Sequence, residues 1–115
     1  MLSSVELQEG GETPVVVVRG DADVNAAPAV DAAIAGAATS HIRVIVDLNE
    51  VSLIDSRTIG VLARWVGELR ARGGDLPIVC GTEDVIRLFR TIGLEQSFEF
   101  FPTRVAAGAV RDSRG

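Results

Sequence analysis

The segment from Ile42 to Arg72 constrains the fold more than any other part of the chain, because it joins a buried strand to a long amphipathic helix. Residues 42–48 contain a near-continuous apolar run, which is typical of a strand covered on both faces. Residues 57–72 carry one apolar stripe at helical spacing, formed by Ile59, Leu62, Val66 and Leu69. We therefore predict a strand over 42–48, a short acidic turn, and a helix from about 57 to 72.

The predicted helix starts with Asp55-Ser56-Arg57-Thr58, which places a carboxylate and two hydroxyl groups beside its first turn. A helix N-terminus has unpaired backbone N–H groups and a partial positive charge, so it can accommodate an anion, including a phosphate on a hydroxyl. The simpler interpretation of Ser56 is an N-cap, whose loss costs about 1 kcal/mol. This segment indicates a switch rather than a catalytic centre.

Apolar periodicity elsewhere predicts an alternation of strands and helices. Residues 3–8 and 13–20 are expected to form an antiparallel hairpin around the turn Gly10-Gly11. An Ala-rich helix should follow, with Pro28 in its first turn and a buried stripe formed by Ala27, Val30, Ile34 and Ala37.

The last third of the chain adds further elements to this prediction. The sequence LPIVCG is expected to form a strand, and Thr82 to cap a helix that ends at Gly93. The expected core face of that helix is Val85, Phe89 and Ile92. Residues 97–101 should form an edge strand, followed by a short C-terminal helix. The predicted fold is α/β, a mixed β-sheet that begins with an antiparallel hairpin and has helices packed on it.

The composition excludes several classes of function. The 115 residues include 47% hydrophobic and 23% charged residues, which fits one compact domain. Eleven basic and 16 acidic residues give a net charge of −5, which argues against nucleic-acid binding. No apolar run reaches the about 20 residues of a membrane span, and the N-terminus lacks the features of a signal peptide. The expected location is therefore the cytoplasm.

The side chains that enzymes use are also scarce. The chain has no lysine, which excludes a Walker P-loop and weakens an interpretation as a phospho-Asp receiver. One histidine, one cysteine and no tyrosine leave too few groups for a zinc site or a His-assisted nucleophile. Cys80 lies on a predicted buried strand and is expected in the core. We therefore expect no catalytic activity, no bound metal and no cofactor.

The sequence DLNEVSLIDSRTIGVL resembles the signature of the STAS domain, as found in bacterial anti-sigma-factor antagonists. The resemblance extends to Gly20-Asp21-Ala22-Asp23 with the helix after it, to Gly73-Gly74 with LPIVCGTEDVIRLF, and to TIGLEQSFEFFPT. Four motifs in the right order cover roughly residues 12–110. The resemblance implies a single STAS domain over 1–115, with a core at about 3–110 and a disordered tail at 111–115.

The resemblance also implies a function for the chain. It would bind an anti-sigma factor, a serine/threonine kinase of the histidine-kinase-like ATPase fold, and so free a sigma factor for transcription. Phosphorylation at the start of the helix after Asp55 would release the partner, and ATP and magnesium would belong to that partner. The alternative is a non-phosphorylated STAS regulatory or scaffold module, either stressosome-like or ligand-sensing.

The phosphoacceptor is left open by a departure from the family pattern. That pattern reads Asp-Ser-Ser-Gly with the second serine as the usual acceptor, and Arg57 stands at this position here. Three possibilities follow: Ser56 is the acceptor, as in relatives of the stressosome type; Thr58 serves instead; or nothing is phosphorylated. We place Ser56 first and Thr58 second. Because Arg57 would offset part of the phosphate charge, the switch should be softer than in a Ser-Ser version.

Side chains around this segment are the candidates for partner binding. Asp23 and Asp55 would either orient the acceptor and contact a basic partner or only stabilise local turns. Helical spacing lines up Thr58, Val61 and Trp65 beside the core stripe, and we predict a docking face from Asp23, Asp55, Arg57, Val61, Arg64 and Trp65. The alternative for Trp65 is packing under a neighbouring element.

Gly60 and Gly67 cost about 1 kcal/mol each inside a helix, so we expect a close approach by another element there.

Overall fold

The computed structural model describes residues 4–23 and 25–108, and the predicted disordered tail at 111–115 lies outside them. The N-terminal hairpin is confirmed, with β1 over Ser4–Gln8 and β2 over Val15–Ala22. The two strands are antiparallel, in a register that pairs Ser4 with Arg19 and Gln8 with Val15.

The sheet has five strands in the order β1-β2-β3-β4-β5. Strand β3 covers Ile45–Ile54, β4 covers Ile78–Val79 and β5 covers Phe100–Phe101. The pairs β2–β3, β3–β4 and β4–β5 are all parallel, so only the hairpin strand β1 runs antiparallel to its neighbour. The predicted mixed sheet with an initial hairpin is therefore confirmed.

Strand β3 is longer than predicted, and the acidic turn expected after residue 48 does not form. Residues 50–54 continue the strand by pairing with the end of β2, from Arg19 opposite Glu50 to Ala22 opposite Ile54. Two register irregularities in β2–β3 accompany this extension. The extension ends at Ile54, directly before the helix that carries the candidate switch.

Helices cover most of one face of the sheet. They are α1 over Ala27–Ala38, α2 over Ser56–Ala71 and α3 over Glu83–Thr91, followed by a 3-10 turn at Glu95–Ser97. The short C-terminal helix is present at residues 104–108 within the described part. Both predicted stripes are buried, that of α1 and that of α2.

Three details around α3 differ from the prediction. Ile92 follows the last helical residue and is 41% exposed, so the core face of α3 consists of Val85 and Phe89. Thr82 stands at the N-cap position but its side chain makes no capping hydrogen bond. The predicted strand over 97–101 is reduced to β5, because the 3-10 turn takes up residues 95–97.

The core lies between the sheet and these helices. Alternate strand residues such as Val16, Val46 and Ile78 point toward α1, α2 and α3, and Cys80 joins the same buried cluster as predicted. On the opposite face Arg104 crosses the sheet, where its Nε donates to Asp47 Oδ2 at 2.7 Å. No helix within residues 4–23 and 25–108 is long and apolar enough to cross a membrane.

A buried carboxylate holds together the edge of the sheet where β3 and β4 begin. Asp75 is 5% exposed, and its Oδ1 accepts from Arg70 Nε at 3.1 Å and from the backbone N–H of Leu76 at 2.8 Å. Burial raises the pKa of Asp75, but the hydrogen bond that it shares with the Glu99 side chain, the Leu76 amide and the Arg70 charge together outweigh this effect. The pKa of Asp75 therefore lies below its usual value.

The lowered pKa of Asp75 predicts a loss of stability in acid. A carboxyl group whose pKa is lower in the folded state stabilises the fold above its unfolded pKa of about 3.9, and this contribution disappears as the pH falls through the folded value. We expect the free energy of unfolding in urea to drop less steeply below pH 4 in Asp75→Asn than in the wild type. Equal slopes for the two proteins would show that Asp75 does not carry this part of the acid sensitivity.

Candidate functional site

The candidate switch lies where the carboxyl ends of β2 and β3 meet the start of α2. The N-cap of α2 is Asp55, whose Oδ1 accepts from the backbone N–H of Arg57 at 2.7 Å. Ser56 is the first residue of the helix rather than its cap. The interpretation of Ser56 as the N-cap is therefore wrong, because the preceding carboxylate occupies that position.

Ser56 and Arg57 are both exposed at this helix start. Neither side chain makes a hydrogen bond or an ion pair with any other residue of the described part of the chain. Within the described residues the Ser56 hydroxyl therefore makes no contact on which the fold depends, and it is exposed to solvent.

Thr58, the second candidate acceptor, is in a different position. It is 0% exposed, and its Oγ1 lies 3.2 Å from both the carbonyl oxygen of Ala22 and that of Asp23. A kinase cannot reach this hydroxyl while the first turn of α2 stays folded against the end of β2. Burial thus separates the two candidates, with Ser56 outside and Thr58 inside.

The two aspartates of the candidate site each stabilise a local turn. Asp23 is half-buried and its Oδ1 accepts from the backbone N–H of Asn25 at 2.9 Å, just as Asp55 accepts from Arg57. The carbonyl oxygen of Asp23 also accepts from the N–H of Ala26, at the start of α1. The structure places the Asp23 carbonyl oxygen 3.2 Å from Thr58 Oγ1, and it shows that both carboxylates stabilise local turns.

Trp65 packs between α1 and α2 and is 7% exposed. Its Nε1 donates to Asp31 Oδ1 at 2.7 Å, and the Arg64 guanidinium donates to the same oxygen at 2.6 Å. Arg64 also lies over the indole ring, 5.3 Å from its centroid. The hydrogen bond from the Trp65 N–H is the main cause of a lowered pKa of Asp31. Burial opposes this shift, and Arg64 adds to it. Trp65 therefore packs against the neighbouring helix α1, which was the alternative to a direct role in docking.

The outer side of α2 is open, contrary to one expectation. A Cβ atom added at Gly60 or Gly67 would meet no atom within 4 Å, so the predicted close approach by another element is wrong. Val61 is partly exposed beside them and Arg64 is exposed, as the helical spacing predicted.

Leu53 is a candidate contact residue that the sequence reasoning missed. Its side chain is 51% exposed near the end of β3, and it pairs in register with Asp21 of β2. Asp21 in turn accepts a hydrogen bond from the Ser52 hydroxyl at 3.0 Å. Leu53 was missed because the segment was predicted to be a turn. In the strand that forms instead, Val51 and Ile54 are buried and Leu53 lies at the surface.

One concave part of the surface lies away from this site. A cavity of about 390 Å³ lies at the opposite edge of the sheet, among the residues that precede β2, β3 and β4, with His41, Arg43 and Asp75 in its lining. Within residues 4–23 and 25–108 no three His, Cys, Asp or Glu side chains are grouped so that they could hold a metal ion.

The family model for the STAS domain matches residues 4–107, and the chain belongs to the STAS domain family. No curated protein matches the sequence in a sequence comparison. The match covers the five strands and the start of α2, and the fold described above is that of the STAS family.

Solved structures of anti-sigma factor antagonists resemble the whole chain. The antagonist from Mycobacterium paratuberculosis is 29% identical, with a TM-score of 0.82 over 96% of each chain. Unphosphorylated SpoIIAA is 23% identical, with a TM-score of 0.78 over 95% of this chain and 97% of that chain. SpoIIAA of Bacillus in its phosphorylated form is 22% identical, with a TM-score of 0.71 over 94% and 100%. At these lower identities the SpoIIAA structures establish the shared fold.

Proposed function

We propose that this STAS domain is an anti-sigma-factor antagonist, which binds an anti-sigma factor and so frees a sigma factor for transcription. The observation that carries the proposal is the exposed Ser56 hydroxyl, free of hydrogen bonds within the described residues, directly after the capping Asp55. The full-length likeness to antagonist structures, one of them in a phosphorylated form, supports it.

The partner contacts a docking face that consists of Asp23, Asp55, Ser56, Arg57 and Val61, with Leu53 and Arg64 at its margins. Arg57 is exposed and has no partner within the described part of the chain, so it can pair with a carboxylate of the anti-sigma factor. Val61 supplies apolar area beside it. Trp65 lies beneath this face, where it donates a hydrogen bond to Asp31 of α1 and is covered by the Arg64 guanidinium.

Ser56 is the phosphoacceptor in this proposal. A phosphate there adds a charge of about −1.5 to −2 directly beside Asp55, in the middle of the docking face, and must lose its water when the partner binds. The helix N-terminus and Arg57 tolerate the added charge within the free protein. Phosphorylation therefore leaves the fold intact and weakens the complex. The burial of Thr58 argues against it as the acceptor.

The kinase that phosphorylates Ser56 is the anti-sigma factor itself, of the histidine-kinase-like ATPase fold. ATP and magnesium belong to this partner, and the antagonist acts in the cytoplasm as a non-enzymatic binding protein without a cofactor of its own.

One observation favours a second candidate function: Arg57 occupies the usual acceptor position. A STAS scaffold or ligand-sensing module works without phosphorylation and therefore needs no acceptor hydroxyl at this position.

Reconstitution with purified proteins tests the proposed function. The antagonist is added to preformed complexes of sigma factors with anti-sigma factors from the same genome, and free sigma factor is measured by size-exclusion chromatography. We expect release of sigma factor from one such complex, in proportion to added antagonist. Failure to bind any of them at micromolar concentrations, together with stable higher-order assembly of the STAS domain alone, would favour the scaffold.

Trp65 substitutions distinguish packing from direct contact. We expect Trp65→Ala to lower the free energy of unfolding by about 3 kcal/mol, because the side chain is 7% exposed and its N–H is bonded to Asp31. Trp65→Phe should retain most of the packing. Affinity for the anti-sigma factor, measured by calorimetry on the folded Trp65→Phe variant, should stay within about threefold of the wild type. A tenfold loss would mean that the indole touches the partner.

A further inference from the structure

The Thr58 hydroxyl lies where three chain segments meet, at two carbonyl groups that are already hydrogen-bonded. The carbonyl oxygen of Ala22 accepts from the N–H of Asp55 at 2.7 Å, and that of Asp23 accepts from the N–H of Ala26 at 2.9 Å. Thr58 Oγ1 lies 3.2 Å from each of these oxygens. The hydroxyl thus joins the end of β2, the start of α1 and the start of α2 in one hydrogen-bonded node.

The fold does not need this hydroxyl to satisfy its backbone. Both carbonyl groups have an N–H donor without it, and Asp55 caps α2 without it. The Thr58 side chain is nevertheless 0% exposed, so its hydroxyl cannot exchange these partners for water unless the node opens. In the Asp-Ser-Ser-Gly pattern that this segment resembles, the same position is glycine, which has no side chain to make such contacts.

We infer that Thr58 is a positioning residue, which locks the loop of Asp23 to the first turn of α2. The lock makes Asp23, Asp55 and Ser56 present one fixed surface. A preorganised surface binds more tightly, because less conformational freedom is lost on association. The lock itself follows from the geometry of the node, whereas its effect on partner affinity rests on the proposed function.

Amide hydrogen exchange measured residue by residue tests the lock without a partner. In the wild type the amides of Ala26 and Asp55 should exchange slowly. Thr58→Val keeps the shape of the side chain and removes the hydroxyl, so exchange at these two amides should become about tenfold faster relative to the β1–β2 ladder. Thr58→Ser keeps the hydroxyl and should retain the wild-type ratio.

Three results would overturn the lock. They are rapid exchange at Ala26 and Asp55 in the wild type, a uniform acceleration across the sheet in Thr58→Val, and identical exchange ratios in Thr58→Val and Thr58→Ser. If Thr58→Val does not fold, the wild type and Thr58→Ser decide the question, since the lock requires slow exchange at both node amides in each of them.

Partner affinity then tests what the lock does. We expect Thr58→Val to bind the anti-sigma factor three- to tenfold more weakly than the wild type, and Thr58→Ser to match the wild type. If the amides of Ala26 and Asp55 exchange faster in Thr58→Val but its affinity for the anti-sigma factor is undiminished, the positioning role is contradicted. If even the wild type binds no anti-sigma factor, the proposed function fails while the exchange measurements still judge the lock.

Discussion

Replacing Ser56 with Asp is expected to weaken binding to the anti-sigma factor by about tenfold, and enzymatic phosphorylation of Ser56 by more. A second carboxylate beside Asp55 adds like charge and a desolvation cost at the centre of the docking face, and a tenfold loss of affinity corresponds to about 1.4 kcal/mol. A phosphate carries up to twice the charge of Asp. Isothermal titration calorimetry with the purified anti-sigma factor measures both effects.

Two further variants are the controls for this prediction. Ser56→Ala should bind like the wild type and unfold within about 0.5 kcal/mol of it, because the hydroxyl has no partner among the described residues and Asp55 caps the helix. Adding Arg57→Gln to Ser56→Asp should increase the loss of affinity beyond the sum of the single changes, since Arg57 offsets the new charge. Undiminished affinity of Ser56→Asp and of the phosphorylated protein would contradict the switch.

The Gly74→Ala substitution is expected to cause the largest loss of stability, about 4 kcal/mol or more. An added Cβ at this position would overlap the carbonyl group of Ile42 and lie 2.8 Å from the Cβ of Ile42. That carbonyl oxygen also accepts from the N–H of Asp75 at 3.0 Å, so relieving the overlap would disrupt the start of β3 and β4 together. Urea unfolding followed by circular dichroism measures the change.

A glycine in open surroundings is the matched control. Gly67 lies in the middle of α2, and an added Cβ would meet no atom within 4 Å. Gly67→Ala should therefore stabilise the protein by about 0.5–1 kcal/mol through helix propensity alone. The two substitutions should act in opposite directions, and a destabilisation of equal size at both positions would refute the steric explanation for Gly74.

Local periodicity was sufficient to predict most of the architecture. The hairpin, the buried stripes of α1 and α2, and the burial of Cys80 all depend on apolar residues at strand or helix spacing, which a sequence displays directly. The end of β3 was missed because β4 is only two residues long. Asn49, Glu50 and Ser52 are exposed polar residues of this extension, so the segment resembles a turn although Leu53 is apolar.

The candidate site was less predictable, because its properties depend on long-range contacts. The Thr58 hydroxyl contacts the carbonyl oxygens of Ala22 and Asp23, which lie 36 and 35 residues away in the sequence. Trp65 is held by Asp31 of α1, 34 residues away, and helical spacing alone cannot tell an interhelical position from a free surface. The N-cap was assigned to Ser56 instead of Asp55 for a local reason. Both residue types are good N-caps, so a shift of one residue in the helix start changes which of them caps it.

Phosphosite mapping by mass spectrometry, on the protein isolated from its own cells across growth conditions, tests the central claim most directly. We expect a phosphate on Ser56 whose occupancy changes with conditions, and none on Thr58, whose hydroxyl is buried. A phosphate on Thr58 would contradict the assignment of the acceptor. An unmodified peptide under every condition, with Ser56 fully covered, would contradict the switch and make Arg57 the mark of a STAS module that works without phosphorylation.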